Sequence, residues 1–354
     1  MDYVKLEDVC TITMGQSPNS SSYNDRGEGI PFFQGNADFG ERYPVTRTWC
    51  SEPTKLANPG DILISVRAPI GAMNYAKEKC CIGRGLAALT HDSGKVSSEF
   101  IFWLLKSKNQ ELNSKGTGST FKAISKKVLE ETLVPNIPLH KQSEYSKNLE
   151  MVYDIIRSRK MELQKLDELV KARFIELFGD PVKNSKRLPT VLGEILFKLS
   201  NGKALPSNER FSEGIPAYGG NGVSWYTDKI LCDFDTIIVG RVGFQSGNVH
   251  LAKAPLWVTD NAMYISSLNT EICDMRFLCA LMEHIDFTRF QDAGDLKKIT
   301  QKPFMQMLYP MPSMQAQMQY IDFSEQIDKS KAAIQKALDE AQLLFDSLMQ
   351  KYFG

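Results

Sequence analysis

The sequence predicts a mixed α/β (α+β) protein in which two pseudo-two-fold-related globular domains are joined by two long antiparallel coiled-coil helices. One segment occurs twice, as residues 118–179 and 293–354, and Gly179 and Gly354 end the two copies 175 positions apart (354 − 179). Each copy closes with a long heptad pattern and is preceded by short apolar runs typical of strands. A duplicated unit of this kind implies a pseudo-two-fold molecule.

The composition is that of a soluble globular protein. Of the 354 residues, 42% are hydrophobic and 24% are charged. The chain has neither a run of about eighteen apolar residues nor a basic stretch followed by an apolar one at its N-terminus, so we expect no membrane span, no secretory signal and a cytoplasmic location. The seven cysteines include no Cys-x-x-Cys pair, and we interpret them as reduced, mostly buried thiols rather than metal ligands.

The same series of short elements is predicted in both halves. A Gly-Ile-Pro motif precedes each first long strand, and a short apolar helix, a glycine-bearing loop and a proline-bounded strand follow it. The predicted strands and helices are 61–67, 100–105 and 133–135 in the first half and 235–241, 277–282 and 308–310 in the second. The spacing between the halves drifts to 174 at the long strand (235 − 61), so this part of the repeat carries insertions and deletions.

The two terminal helices show the strongest structural signal. Apolar residues recur at alternating spacings of four and three over about five heptads, which predicts a coiled-coil seam in helices about 50–55 Å long. The seam residues are Leu149, Val152, Ile156, Leu163, Leu166, Val170 and Leu177 in the first helix and Ile327, Ile334, Leu338, Phe345 and Leu348 in the second. The two helices most simply pair with each other in antiparallel orientation; the alternative is that each packs on its own domain.

The helix ends give the predicted division of the chain. Gly179 serves as a C-cap, and the Asp180-Pro181 pair and a basic loop follow it. The predicted segments are a first globular domain at 1–140, a central helix at 141–179, a linker at 180–189, a second globular domain at 190–314 and a distal helix at 315–354.

A search for catalytic motifs favours a binding protein. The four histidines are scattered, and Gly202-Lys203 lacks the other residues of a phosphate-binding loop. Gly83-Arg84-Gly85 is interpreted as a turn between strands, because a single Gly-x-Gly is a weak signal. We therefore expect no catalytic residue, no metal ligand and no bound cofactor in this chain.

Recurring loops hold the candidate ligand-binding residues, and a two-fold molecule suits duplex DNA. Amide and tyrosine side chains follow Gly-Ile-Pro, arginines end the long strands, and hydroxyl and lysine side chains lie around the glycine loop, where they suit base edges or phosphates. The candidates are Gln34, Asn36, Arg67, Thr117, Ser119, Lys122, Lys126, Tyr218, Asn221, Arg241, Lys297 and Lys298. Each could instead be an ordinary turn or solvated residue. Since 42 basic residues balance 42 acidic ones, DNA contact requires locally clustered charge or charge from a partner.

In this order and duplication, the motifs resemble the specificity (S) subunit of type I restriction-modification systems. No single motif is specific, but the likeness covers essentially the whole chain, with the second half repeating the first in weaker form. The first-half segments that carry it are 4–9, 13–18, 29–31, 60–63 with Arg67, 118–124, 134–142 and 174–181.

The resemblance implies that two target-recognition domains each read half of a split sequence in double-stranded DNA while the paired helices set the gap. Two modification subunits, which bind S-adenosylmethionine and methylate adenine, would dock on the chain, and ATP-dependent nuclease-translocase (restriction) subunits would join them. The chain itself would perform no chemistry. In the second half Asp295–Lys298 replaces Ser119–Lys122, and Gly240–Gly243 replaces Val66–Pro69, so the target is predicted to be asymmetric.

Two other functions compete with this interpretation. A fused methyltransferase-nuclease would need an Asn/Asp-Pro-Pro-aromatic tetrad and a glycine-rich cofactor strand, and the chain has neither. A non-catalytic protein-protein adaptor with a coiled-coil spacer would use the same helices, and only salt-dependent, sequence-selective DNA binding separates it from an S subunit.

Overall fold

The computed structural model describes residues 2–118, 122–244, 246–292, 294 and 297–354. The chain forms two compact units. Unit 1 comprises residues 1–160 and 336–354, and unit 2 comprises residues 161–335. On sequence alone each long helix was a separate segment, whereas the compact units divide both helices near the middle.

The described residues of unit 1 form short strands, short helices and part of each long helix. Its main sheet is four-stranded and antiparallel, in the order β2-β10-β7-β8, and a mixed five-stranded sheet has the order β3-β5-β4-β9-β6. The strands are β1 (Tyr3–Lys5), β2 (Cys10–Met14), β3 (Tyr23–Asn24), β4 (Ile30–Phe33), β5 (Trp49–Cys50), β6 (Leu56–Ala57), β7 (Ile62–Ser65), β8 (Met73–Tyr75), β9 (Cys80–Ile82), β10 (Leu86–His91) and β11 (Leu133–Pro135). The short helices are α1 (Leu6–Val9), α2 (Ser98–Ser107), α3 (Asn109–Ser114) and α4 (Lys126–Glu130).

Unit 2 repeats this plan. Its antiparallel sheet has the order β13-β19-β16-β17, a three-stranded sheet has the order β15-β14-β18, and β12 pairs with β20 as β1 pairs with β11. The strands are β12 (Thr190–Leu192), β13 (Phe197–Asn201), β14 (Ile215–Gly219), β15 (Gly222–Thr227), β16 (Thr236–Gly240), β17 (Val249–Ala252), β18 (Trp257–Val258), β19 (Ala262–Leu268) and β20 (Leu308–Pro310). The short helices of unit 2 are α6 (Gly193–Leu196), α7 (Met275–Glu283) and α8 (Lys302–Gln306). The long helices are α5 (Leu139–Phe178) and α9 (Met314–Phe353), and each contributes to both units.

The mixed α/β class and the repeated order of elements are confirmed. The predicted long strands are shorter than their patterns suggested and correspond to β7 and β16, in which every residue is buried. The sequence of a fully buried strand is a continuous apolar run, because both faces of its sheet are covered. The predicted short helices are α2 and α7, each capped by a side chain, Ser97 accepting from the amide of Phe100 and Asp274 from that of Arg276.

Within each unit, segments of α5 and α9 lie antiparallel, as the heptads predicted. In unit 1 the rings of Tyr145 and Tyr352 stack with centroids 3.9 Å apart, and Tyr153 lies 6.0 Å from Phe345. In unit 2, Lys331 Nζ lies 2.6 Å from the Asp167 carboxylate, and further along the pair the rings of Phe174 and Tyr320 are 5.4 Å apart. Within each unit, residues further along α5 therefore contact residues nearer the start of α9, as antiparallel pairing requires.

The helices also pack on the globular part of their unit, so the two arrangements considered from sequence coexist. In unit 1, Trp103 of α2 lies 5.4 Å from Tyr153 and 5.6 Å from Phe345 between ring centroids. In unit 2, Phe174 and Phe178 belong to the same buried cluster as Phe277 of α7. All twelve predicted seam residues are buried or half-buried. None of the helices in the described ranges is long and apolar enough to cross a bilayer.

All seven cysteines fall within the described residues, and each is a buried free thiol. Burial raises the pKa of Cys10, Cys80 and Cys273 to about 12. These thiols are therefore protonated at neutral pH and act as small apolar core residues.

A buried glutamine near the start of each long helix ties that helix to its unit. Gln142 accepts a hydrogen bond from the amide of Ser97 at 2.9 Å and donates to the carbonyls of Lys95 and Ile137 at 3.0 and 2.9 Å. Because Ser97 caps α2, one amide group links the N-termini of two helices.

Gln317 makes the same connections in unit 2. It accepts from the amide of Asp274, the cap of α7, at 3.0 Å and donates to the carbonyls of Ile272 and Pro312 at 2.9 and 3.0 Å. The two glutamines are 2% and 0% exposed, so water cannot replace either set of hydrogen bonds.

We expect Gln142→Ala and Gln317→Ala each to lower the free energy of unfolding by about 1–3 kcal/mol for every backbone group left buried without a partner. Urea denaturation followed by circular dichroism measures the change. Gln319→Ala, at an exposed position on α9, is the matched control and should unfold like the unmodified protein. Equal midpoints for all three variants would refute the anchoring role.

Candidate nucleic-acid interface

A row of backbone hydrogen bonds in unit 1 aligns loops that are distant in sequence. The amide of Gly85 donates to the carbonyl of Gln34 at 3.2 Å, that of Val66 to Gly85 at 2.9 Å and that of Ile124 to Val66 at 2.9 Å. The loop after Gly-Ile-Pro, the Gly-Arg-Gly turn, the end of β7 and the glycine loop are thereby held side by side.

The far end of this row brings Thr117 and Lys122 next to Arg67. Thr117 and Ala123 exchange both backbone hydrogen bonds at 2.9 Å, Arg67 and Ala123 form an isolated bridge, and the amide of Ala68 donates to the carbonyl of Lys122 at 3.0 Å. Three of the candidate residues, Arg67, Thr117 and Lys122, therefore lie next to one another in unit 1.

Gln34 and Arg67 line a common cleft of about 430 Å³ together with Ser17, Tyr23 and Arg84. Tyr23 is held by a hydrogen bond from its hydroxyl to the carbonyl of Pro18 at 2.9 Å and by stacking on Phe32. The backbone of Gln34 is held by its main-chain N–H, which donates to the Asp38 carboxylate at 2.7 Å. The cleft walls are thus fixed, while the ends of its charged side chains are exposed.

Arg84 is the charged residue of this cleft that sequence reasoning missed. Gly83-Arg84-Gly85 does turn the chain between β9 and β10, but the turn also places the arginine in the cleft. The available signal was the second glycine, because a side chain at Gly85 would meet the Gln34 carbonyl oxygen at 2.3 Å. Within the described ranges, the guanidinium groups of Arg67 and Arg84 have neither an ion pair nor a hydrogen bond, so their charge is available to an anion or a base edge.

Two other unit 1 candidates, Asn36 and Lys126, lie outside the cleft. Asn36 begins a short turn beside Gln34 but is not among the residues that line the cleft. Lys126, at the start of α4, forms an ion pair with Glu130 at 2.9 Å, which satisfies its charge locally. Ser119 lies outside the described residues.

Unit 2 repeats the row of hydrogen bonds with different side chains. The amide of Thr259 donates to the carbonyl of Tyr218 and that of Arg241 to Asn261, at 2.8 and 2.9 Å. The amides of Ile299 and Gly243 then donate to the carbonyls of Arg241 and Lys297, at 2.9 and 2.8 Å.

The exposed candidates of unit 2 lie along this row. Asn221 is in the two-residue turn of the β14–β15 hairpin, and Lys297 and Lys298 are on the adjoining loop. Arg241 lines a second cleft, of about 510 Å³, with residues that include Lys302, which sequence reasoning also missed.

The hydrogen-bond register corrects the alignment of the two arginines. Val66 and Arg241 occupy the same place in the row, 175 positions apart (241 − 66), so Arg67 corresponds to Val242 rather than to Arg241. The spacing of 174 taken from sequence is one residue short. Neighbouring residues of an extended chain point to opposite faces. The side chains of Arg67 and Arg241 therefore do not occupy equivalent positions in the two units.

The amino-acid sequence matches a known family in two segments. A model described as "Type I restriction modification DNA specificity domain" matches residues 1–168 and 191–342. The chain belongs to this family. Its two matched segments mean that the specificity domain occurs twice, in agreement with the resemblance found from sequence.

Several relatives of this specificity family are similar to the chain. A Methanocaldococcus jannaschii protein named as the type I restriction enzyme MjaX specificity subunit is 44% identical over 160 residues, which cover 45% of this chain and 38% of that protein. A Mycoplasma genitalium protein named as a type I specificity subunit is 24% identical over 284 residues, or 74% of this chain and 72% of that protein. The crystal structure of a type I S subunit from M. genitalium matches with a TM-score of 0.68 at 16% identity, over 100% of this chain and 96% of that one, and shows the same fold.

We expect Gly85→Ala to disturb the cleft, because its new Cβ would meet the Gln34 carbonyl at 2.3 Å. The strain should lower the free energy of unfolding by about 1–3 kcal/mol. Gly35→Ala is the matched control, since nothing lies within 4 Å of a Cβ there. Urea titrations of both variants would contradict the close approach if Gly85→Ala were as stable as Gly35→Ala.

Proposed function

We propose that this chain is the DNA specificity subunit of a type I restriction-modification complex, with unit 1 and unit 2 each reading one half of an asymmetric bipartite target in double-stranded DNA. The observation that carries the proposal is the doubled backbone framework, which presents different exposed side chains in each unit. A repeated scaffold with divergent loops suits two half-sites of different sequence. The names of the relatives, all specificity subunits, support the same function.

The DNA-binding surface comprises the cleft and the row beside it. Arg67, Arg84 and Lys122 in unit 1, and Arg241 and Lys297 in unit 2, are suited to base edges or phosphates. Amide groups of Gln34 and Asn221 are suited to adenine. Partner subunits would supply further phosphate contacts, because the chain has no net positive charge.

The chemistry in this proposal belongs to partner subunits. Two modification subunits would bind S-adenosylmethionine and methylate adenine, and nuclease-translocase subunits would use ATP. The chain would perform no reaction and bind no cofactor itself; it would act in the cytoplasm, where its target DNA is. Support comes from the family, whose model describes a DNA specificity domain.

The test is binding and methylation by the chain assembled with its modification subunits. We expect retention on DNA that is sequence-selective and falls steeply with salt, as counterion release requires. Methylation-site sequencing should then return two unlike half-sites separated by a constant gap. A protein-protein adaptor would show neither trait, and a symmetric palindrome would contradict the unequal side chains of the two units.

A second prediction concerns the gap, which we propose is set by the length of the long helices. Seven residues inserted into α5 near Glu162–Lys165 and seven into α9 near Ile334 keep the heptad phase and add about 10 Å. The gap between half-sites should grow by about three base pairs at about 3.4 Å each, with both half-sites unchanged. Insertion into the loop at 183–187 is the control and should leave the gap as it was. Altered half-site bases would place recognition outside the globular parts.

A further inference from the structure

We infer that Arg84 and Arg67 make unit 1 read a guanine at the base pair facing its cleft, whereas Asp260 makes unit 2 read a base with an amino group, cytosine or adenine, at the equivalent place. The inference rests on the proposed function and deepens it. It assigns base types to one position in each half-site.

The hydrogen-bond register supports the equivalence of Arg84 and Asp260. The carbonyl of Gly85 accepts from the amide of Val66, and the carbonyl of Asn261 accepts from the amide of Arg241. Gly85 and Asn261 therefore correspond, 176 positions apart (261 − 85), and the residues just before them correspond as well.

The preceding hydrogen bond in each row gives the same result. The amide of Gly83 donates to the carbonyl of Phe33, and the amide of Thr259 donates to the carbonyl of Tyr218. Both loops thus hold a three-residue turn between two backbone hydrogen bonds, and the middle residue is Arg84 in unit 1 and Asp260 in unit 2.

The two positions differ in sign of charge. Unit 1 has two arginines, Arg67 and Arg84, where unit 2 has Val242 and Asp260. The Arg241 guanidinium also lies beside Asp260 and donates to its backbone carbonyl at 3.4 Å, which leaves the Asp260 carboxylate itself unpaired among the described residues. Arg84 and Asp260 are both exposed, and neither side chain has an ion-pair partner among the residues that the structure describes. Each is therefore free to contact a ligand.

Base-edge chemistry connects these side chains to base types. Guanine presents two acceptors, O6 and N7, in the major groove, and arginine can donate to both. A carboxylate can only accept, so it favours the amino groups of cytosine N4 or adenine N6 and disfavours guanine O6 and the phosphates. The Arg84 cleft, already walled by Tyr23 and Gln34, limits how a base edge can approach.

The experiment uses the chain assembled with its modification subunits and a DNA library randomised across both half-sites. Arg84→Ala should lose about tenfold to hundredfold of its preference for guanine at one position of the first half-site, with the second half-site unchanged. Arg26→Ala removes the same charge from an exposed loop outside the cleft and is the control, with no expected change in preference.

A gain-of-function variant makes the test independent of any loss of folding. Asp260→Arg should introduce guanine preference at the matching position of the second half-site, and Asp260→Asn should not. Guanine preference retained in Arg84→Ala, or weakening that is uniform across all sequences with a shallower salt dependence, would overturn the inference and indicate a phosphate contact. If the unmodified complex selected no sequence at all, the proposed function itself would fail.

Discussion

The main-chain hydrogen bonds that join Gln34, Gly85, Val66 and Ile124 are the constraint on which the candidate interface depends. These bonds use only backbone amides and carbonyls, so they do not depend on which side chains the loops carry. The corresponding bonds in unit 2 connect loops of very different sequence. One framework can therefore present Arg84 in one unit and Asp260 in the other without changing the fold beneath.

In unit 1, glycines occupy the points where this framework is tightest, whereas unit 2 has Asn261 in the place of Gly85. A side chain at Gly85 would overlap the Gln34 carbonyl, and Gly15 approaches the carbonyl of Gly83 at 2.1 Å from its would-be Cβ. At such distances backbone must move to admit even a methyl group. Arg84, between Gly83 and Gly85, has an exposed side chain that lines the cleft.

Charge in this protein is organised locally. Many lysines and arginines form ion pairs with neighbours, as Lys126 does with Glu130 and Lys331 with Asp167. Exposed pairs of this kind contribute little stability, but they remove charge from the set available to DNA. Arg67 and Arg84, which line the cleft of unit 1, form no ion pair with any residue that the structure describes. A chain with no net charge can thus still offer a positive site.

Sequence alone determined the features that repeat with a regular period or a constant spacing. The heptads predicted both long helices, since apolar spacing maps directly onto one helix face. Gln142 and Gln317, which make matching hydrogen bonds, are separated by the same 175 positions as the glycines that end the two copies. The short buried strands were also found from their apolar runs, although their ends were not.

Tertiary structure decided what depends on pairing between distant segments. The one-residue shift that matches Arg241 to Val66 appears only in the hydrogen-bond register, because insertions in the connecting loops hide it from any alignment of the two halves. Arg84 lies fifty positions from Gln34 (84 − 34) and joins its cleft only because parallel pairing of β4 with β9 brings the loops together. Periodicity is a local property that the sequence displays, whereas strand register is a long-range property that only the folded chain specifies.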